Sequence, residues 1–308
     1  MFKIKTVPVL IVCLSIISMV RLYAEDEATT FDLQEIASAQ SNQLLWKIQN
    51  EKAHIYLFGS LHYGIADFYP FAESVESAFE KSDYLVVEIN TVCETFMPEV
   101  AKHMRNGMLP PDRTLQTELS SEVFKLLENS LEELGVGIDR FSSYKPWLMA
   151  LTLSGLKLQA LGFDPGLGVE SYFFSKSEEK SILELESVQS QMKSLSVLDS
   201  DGLLEYTLEN NSELEKMMGD LTRAWVEGDS AALSAIILQD YSAAIPGYQE
   251  IYQALFSTRN TNMTNVLVDL LDTDGTYFVV VGAGHLLGPD SIIEMLIKRG
   301  REVTRVGE

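Results

Sequence analysis

Cysteine and basic residues are both scarce in this 308-residue chain, and each scarcity excludes a class of protein. The two cysteines, Cys13 and Cys93, cannot supply the disulfide framework of a small secreted scaffold. The chain carries 23 basic residues against 45 acidic ones, which gives a net charge of −22. Because nucleic acids and anionic membranes attract positive charge, we expect neither as a partner. The same balance tolerates cationic ligands, including divalent metal ions.

The motifs of several large enzyme classes are absent as well. The sequence contains no His-Glu-x-x-His, no Gly-x-Ser-x-Gly, no phosphate-binding loop that ends in Lys-Ser/Thr and no Cys-x-x-Cys. Any catalytic site must therefore be argued from other residues.

The N-terminal segment predicts export. Two lysines precede an apolar run over residues 7–20, and Leu22-Tyr23-Ala24 resembles a signal-peptidase site, so we expect a signal peptide, residues 1–24, cleaved after Ala24. An uncleaved membrane anchor is the alternative, because Arg21 intrudes, but the run falls short of the roughly 20 residues that a membrane span needs. Cleavage leaves Cys93 alone, changes the net charge to −25 by removing three basic residues, and predicts a periplasmic or secreted protein without stable membrane insertion. We expect Cys93 to be a small buried hydrophobe rather than a reactive thiol.

Apolar runs and helical spacing predict an α/β fold with one domain over residues 44–308, preceded by a polar lead-in over 25–43. We expect a central mixed sheet flanked by helices, with a helical insertion at about 120–235. The predicted strands are 44–48, 53–58, 84–89, 181–185, 277–281 and 302–306, the first two forming a hairpin. The predicted helices are 72–81, 120–134, 145–161, 201–227 with breaks, 257–272 and 290–299.

Two of the four histidines lie in matching surroundings. Gly59-Ser60-Leu61-His62 and Gly282-Ala283-Gly284-His285 each follow an apolar, β-rich run. Each histidine is therefore predicted at the carboxyl end of a strand, where open α/β sheets form their ligand crevices. The two could converge on one ligand, or each could cap a strand end without any function.

Acidic residues follow two further predicted strands. Glu88 ends the run Tyr84–Ile89, where a buried carboxylate needs a salt bridge, a hydrogen bond or a metal ion. Glu186 follows the next strand, and Glu184 points the same way by the period of two. Glu170 opens a predicted helix, where an acid needs no further role.

Two imidazoles and one or two carboxylates are the usual ligands of a first-row divalent metal with an open position. We expect His62, Glu88 and His285 to hold the metal, with Glu186 as a ligand or general base. Arg259 would stabilise a developing oxyanion, although a surface arginine on a helix is the competing interpretation. A metal-bound water could then attack a carbonyl group.

These residues resemble the TraB/GumN family, which is similar to the TIKI metalloproteases. The landmarks, over about Trp46–Val306, are the two Gly-x-x-His elements, Phe68-Tyr69-Pro70, Asp83–Glu88, Lys145-Pro146-Trp147, Gly168-Val169-Glu170, Leu185-Glu186-Ser187 with Gln189, Trp225–Asp229 and Arg259-Asn260. The departures from the family pattern are mild. Ser60-Leu61 stands where Thr-Ile is commoner, Glu170 stands where aspartate is frequent, and Ser187 stands where threonine is usual.

The resemblance implies an α/β fold of the ChaN and erythromycin-esterase kind. It also implies an exported metal-dependent hydrolase of the peptidase type, with manganese or cobalt favoured and zinc as a further candidate. The substrate would be a peptide or another small molecule. Two alternatives stay open. The first is a regulatory protein that binds a peptide, haem or metal in the same crevice without converting it. The second is a structural domain whose histidines only cap strands.

Overall fold

Six strands form one mixed sheet, as the sequence predicts. The computed structural model describes residues 44–198, 202–240, 242–243, 245 and 247–307, so the predicted signal peptide and lead-in lie outside the described residues. The strands are β1 Leu45–Gln49, β2 Ala53–Ser60, β3 Tyr84–Val87, β4 Ser181–Glu184, β5 Gly275–Gly282 and β6 Val303–Arg305. Their order across the sheet is β4-β3-β5-β2-β1-β6.

Strands β4, β3, β5 and β2 run parallel to one another, whereas β1 is antiparallel to both β2 and β6. The predicted hairpin of β1 and β2 is confirmed. Its turn is fixed by the Asn50 side chain, whose Oδ1 accepts from the backbone N–H groups of Lys52 at 2.9 Å and Ala53 at 2.8 Å.

The central strands lie in the core because their side chains are apolar on both faces. Leu85, Val86 and Val87 of β3 are fully buried, as are Phe278 and Val279 of β5. Continuous apolar runs of this kind are typical of parallel strands covered by helices on both sides. Burial on both faces gives this part of the sheet a rigid frame for the loops that follow it.

Helices cover the sheet. Those longer than one turn are α1 Glu73–Glu80, α2 Phe96–Met104, α3 Leu115–Glu118, α4 Ser121–Glu133, α5 Pro146–Ala160, α6 Val169–Ser175, α7 Val188–Leu195, α8 Leu203–Glu209, α9 Leu214–Glu227, α10 Ser230–Ile237, α11 Tyr248–Tyr252, α12 Thr258–Leu271 and α13 Ile292–Lys298. A serine caps the start of α4, since Ser120 Oγ accepts from the Val123 N–H at 3.2 Å. No helix within the described residues is both long and apolar enough to cross a membrane.

The middle of the chain is mostly helical, but it also contributes one strand to the sheet. Strand β4 lies within the segment that the sequence assigns to a helical insertion, and it pairs with β3 at the edge of the central sheet. Helix α5 begins with Pro146 at its first turn and buries residues on all its faces, so it packs as a core helix. The four parallel strands end together at one side of the sheet, called the carboxyl edge below.

Candidate functional site

The carboxyl edge brings the predicted site residues together in the order of the strands. Glu186 follows β4, Glu88 follows β3, His285 follows β5 and His62 follows β2. Pairing continues past the ends of β3 and β4, because the Glu186 N–H donates to the Glu88 carbonyl at 3.1 Å. Neighbouring strands lie about 4.8 Å apart, which places the four side chains within reach of one small ligand.

Gly282, the last residue of β5, forms the floor between these side chains. A Cβ on Gly282 would stand 3.3 Å from Glu88 Oε1, 3.3 Å from His62 Nε2 and 3.6 Å from His285 Cδ2. Its backbone N–H donates to Glu88 Oε1 at 2.7 Å. The glycine therefore leaves a space that is bounded by two imidazoles and a carboxylate.

Arg259 of α12 forms salt bridges with both Glu88 and Glu186. Its Nη2 donates to Glu88 Oε2 at 2.6 Å and also to Glu186, and its Nε donates to the two Glu186 oxygens at 3.0 and 3.2 Å. The Gln191 amide bridges the same pair, at 3.2 Å from Glu88 Oε2 and 3.0 Å from Glu186 Oε1. The salt bridge considered for Glu88 is thus present. It engages Oε2 and leaves Oε1 directed towards the histidines.

His62 is oriented by a carboxylate from α6. Its Nδ1 lies 3.0 Å from Glu170 Oε1, which also accepts from Ser60 Oγ at 2.5 Å. The first turn of α6 reaches this position because its backbone packs on the loop after β2. A Cβ on Gly168 would stand 2.2 Å from the His62 carbonyl oxygen, so this approach requires glycine. Glu170 is therefore both an acid in the first turn of a helix and the partner of His62.

His285 is oriented by an amide from α12. Its Nδ1 lies 2.5 Å from Asn260 Oδ1, and Asn260 Nδ2 donates to the Asp290 carbonyl at 2.7 Å. The other ring nitrogen, Nε2, is buried without a hydrogen-bond partner among the described residues and lies 3.7 Å from Glu88 Oε1. A buried polar atom left without a partner costs about 1–3 kcal/mol, so this geometry calls for a cation, a proton or a water molecule between the two atoms.

The local charges give these groups different pKa values. Burial lowers the pKa of His62, but the Glu170 carboxylate outweighs burial and the net shift is upwards. Burial and the nearby Arg259 guanidinium lower the pKa of His285 to about 3, which keeps its ring neutral. Burial raises the pKa of Glu88, but Arg259, the two histidines and the Gly282 N–H together outweigh burial and lower the pKa to about 2. The pKa of Glu186 is raised, mainly by burial.

The donor types suit a divalent metal. Each histidine has its Nδ1 against an oxygen acceptor, as metal-bound histidines usually do. His62 Nε2 and His285 Cδ2 border the space above Gly282. Glu88 keeps a charged carboxylate with Oε1 facing the same space. Among the described residues, however, no group of three or more His, Cys, Asp and Glu side chains is arranged closely enough to hold a metal ion as it stands. Metal binding would therefore require the side chains around Gly282 to move.

A small cavity of about 30 Å³ opens beside His62. Its walls are mostly apolar, with Met218, Leu221 and Ile237 on one side and the two glycine-containing turns on the other. The Trp225 Nε1–H supports the first turn by donating to the Gly59 carbonyl at 2.8 Å. The cavity is large enough for a water molecule or a small substituent next to the imidazole.

The structure thus brings His62, Glu88, His285, Glu186 and Arg259 into one cluster. Glu184 lies outside it: its carboxylate is exposed and accepts from the Asn90 N–H at 2.7 Å. Cys93 is half-buried, with Sγ 3.4 Å from Thr95 Oγ1, so it is less enclosed than expected.

Sequence reasoning left the role of Glu170 open and assigned none to Gln191 or to Asn260. Each of these residues acts on a partner that is distant in the chain. Asn260 carried one signal, since it stands in the Arg259-Asn260 pair among the family landmarks.

Comparison with known proteins finds distant relatives of this chain. A protein of Treponema pallidum (strain Nichols), described as uncharacterized, is 21% identical over 277 residues and covers 85% of this chain and 82% of its own length. The uncharacterized protein YbaP of Escherichia coli (strain K12) is 25% identical over 249 residues, covering 79% of this chain and 88% of its own. The metalloprotease TIKI1 of Xenopus tropicalis is 24% identical over 325 aligned positions, covering 86% of this chain and 62% of its own.

No solved structure matches the chain significantly. The model of the TraB/PrgY/gumN family matches residues 44–305, a span that contains all six strands and every residue of the cluster. The chain belongs to the TraB/PrgY/gumN family.

Proposed function

We propose that this protein is a divalent-metal-dependent hydrolase that cleaves peptide bonds. One observation carries the proposal: the neutral, buried His285 Nε2 faces the charged Glu88 Oε1 at 3.7 Å without a hydrogen bond between them. Two ligands that each lie about 2.0–2.2 Å from one ion can be separated by that distance. The second imidazole, His62, borders the same space above Gly282.

His62, Glu88 and His285 would hold the ion, with Mn²⁺ or Co²⁺ favoured and Zn²⁺ as a further candidate. When bound, such an ion acidifies a water molecule and polarises a carbonyl group. The chain's own groups supply the rest. Glu170 and Asn260 orient the two imidazoles, and Arg259 keeps Glu88 ionised. Glu186, whose pKa is raised mainly by burial, would take up and return a proton. The Arg259 guanidinium supplies positive charge near a developing oxyanion.

Two further facts support a peptide substrate. The relative from Xenopus tropicalis is described as a metalloprotease, although this chain spans only 62% of its length. The small apolar cavity beside His62 suits an aliphatic substituent next to a scissile bond. The export signal predicted in residues 1–24 would place the activity in the periplasm or outside the cell.

The test compares His62→Ala and His285→Ala with His54→Ala. His54 is an exposed histidine of β2 outside the cluster, so its replacement is a matched control. The purified proteins are loaded with Mn²⁺, Co²⁺ or Zn²⁺, assayed for metal content, and incubated with a library of short peptides that is analysed by mass spectrometry. We expect about one ion per chain and peptide cleavage in the wild type and His54→Ala, and neither in the two cluster variants.

Two other results would redirect the assignment. Stoichiometric retention of a metal or peptide without any product would favour the binding protein that the sequence left as an alternative. Equal cleavage in all four proteins would contradict the assignment of His62 and His285 to the site.

A further inference from the structure

Asn260 can hydrogen bond to His285 in only one way. The Asp290 backbone carbonyl accepts hydrogen bonds and cannot donate them, so the Asn260 group 2.7 Å from it must be the NH₂. The amide oxygen therefore faces His285 Nδ1, at 2.5 Å. Because that oxygen can only accept, Nδ1 must carry the ring proton.

The position of the proton on Nδ1 also determines the state of the other ring nitrogen, Nε2. A neutral imidazole has one N–H, so Nε2 carries a lone pair and faces a second acceptor, Glu88 Oε1, at 3.7 Å. Without Asn260, the opposite tautomer would be favoured, since an Nε2–H could donate to the Glu88 carboxylate. Asn260 thus works against the hydrogen bond that His285 would otherwise form with Glu88.

We propose that Asn260 is a positioning residue that locks His285 in the Nδ1–H tautomer and so keeps its Nε2 lone pair available to a cation. The lock is anchored outside the site by the Asp290 carbonyl, which fixes the amide orientation before any ligand binds. The tautomer is a property of the metal-free protein. Only its consequence for metal affinity rests on the proposed function.

The chain suits a direct measurement, because it contains only four histidines. The purified protein is labelled with ¹⁵N-histidine, freed of metal with a chelator, and examined by two-bond ¹H–¹⁵N correlation NMR, which distinguishes the two neutral tautomers. His285→Gln assigns the signal. The set comprises the wild type, Asn260→Leu, Asn260→Asp, and the control Asn262→Leu at an exposed position on the same helix.

We expect the Nδ1–H tautomer for His285 in the wild type and in Asn262→Leu. Asn260→Leu should switch it to Nε2–H, whereas Asn260→Asp should retain Nδ1–H because a carboxylate also accepts. Titration with Mn²⁺ alone, followed by calorimetry, should show affinity lowered about 10–100-fold in Asn260→Leu and largely retained in Asn260→Asp.

An Nε2–H tautomer in the wild type would overturn the proposal, and that spectrum decides even if Asn260→Leu fails to fold. Retention of Nδ1–H in a folded Asn260→Leu would also overturn it, because the lock would then lie elsewhere. The proposed hydrolase fails on different grounds, namely absence of metal binding and of peptide cleavage in the wild type, with the tautomer unaffected.

Discussion

The two Gly-x-x-His elements match in sequence but differ in their surroundings. His62 has a carboxylate partner, Glu170, and a raised pKa, and its side chain is 10% exposed. His285 has an amide partner, Asn260, and a pKa lowered to about 3, and its side chain is 1% exposed. The local motif places each histidine at a strand end, whereas residues distant in the chain determine its charge.

The difference suits a shared ligand. A histidine beside a carboxylate is the more basic donor, and a neutral histidine beside an amide keeps its lone pair at any ordinary pH. Glu88 lies between the two and supplies the negative charge that both would share with a cation. Four substitutions test this difference between the two histidines.

The largest effect is expected from Glu88→Gln, which removes the charge common to both elements. Breaking a buried ion pair from one side leaves Arg259 undercompensated, so the free energy of unfolding should fall by about 3–5 kcal/mol. Mn²⁺ binding should be lost. The control is Glu184→Gln, an exposed carboxylate at the end of the neighbouring strand β4, which should change stability by less than about 0.5 kcal/mol. Chemical denaturation and calorimetry measure both, and equal effects would contradict the central role of Glu88.

Gly282→Ala should weaken metal binding, whereas Gly284→Ala should lower the stability of the fold. Its Cβ would enter the space between Glu88 Oε1 and His62 Nε2, at 3.3 Å from each. Because metal–ligand distances tolerate changes of only about 0.2 Å, Mn²⁺ affinity should fall more than about 100-fold. In Gly284→Ala the Cβ meets Phe256 and Ile237 instead, so we expect a loss of about 1–3 kcal/mol in stability with metal binding retained. The reverse pattern would place the site elsewhere.

Glu170→Gln should make His62 resemble His285. Without the carboxylate, the pKa of His62 in the metal-free protein should fall to or below its ordinary value of 6.5, as NMR titration would show. Because the folded-state pKa is raised in the wild type, the stability that this pair contributes is fully present below pH 6.5. It is lost as the pH rises through the folded-state value. The stability advantage of the wild type over Glu170→Gln should therefore shrink with rising pH, and a constant difference would argue against the pair.

The smallest effect is expected at the hydrogen bond between Trp225 and the Gly-x-x-His element of His62. Trp225→Phe removes the indole N–H that binds the Gly59 carbonyl and keeps an aromatic ring in the core. We expect a loss of about 1 kcal/mol in the free energy of unfolding and little change in Mn²⁺ affinity. A large loss of affinity would mean that the position of His62 depends on this single hydrogen bond.

Much of the fold was predictable because its signals are local. Buried parallel strands such as β3 and β5 read as continuous apolar runs, and Glu88 and Glu186 stand out as charges at the ends of such runs. The helices α2, α3, α7, α10 and α11 were not predicted. Their short spans mix polar and apolar residues and gain stability from tertiary contacts.

The partners of the two histidines could not be predicted, for a physical reason. Glu170 reaches His62 only because two glycine-containing loops pack backbone against backbone, and Asn260 reaches His285 across the packing of α12 on the sheet. No local periodicity encodes such contacts. The predicted role of Arg259 at an oxyanion stays a prediction, and its clamp on two carboxylates is what the structure adds.

The most direct test is an anomalous-difference map from crystals of the protein grown or soaked with Mn²⁺. We expect one strong peak above Gly282, within bonding distance of His285 Nε2, Glu88 Oε1 and His62 Nε2. A peak elsewhere, or none at Mn²⁺ concentrations that saturate the protein in solution, would contradict a metal centre built from the two Gly-x-x-His elements.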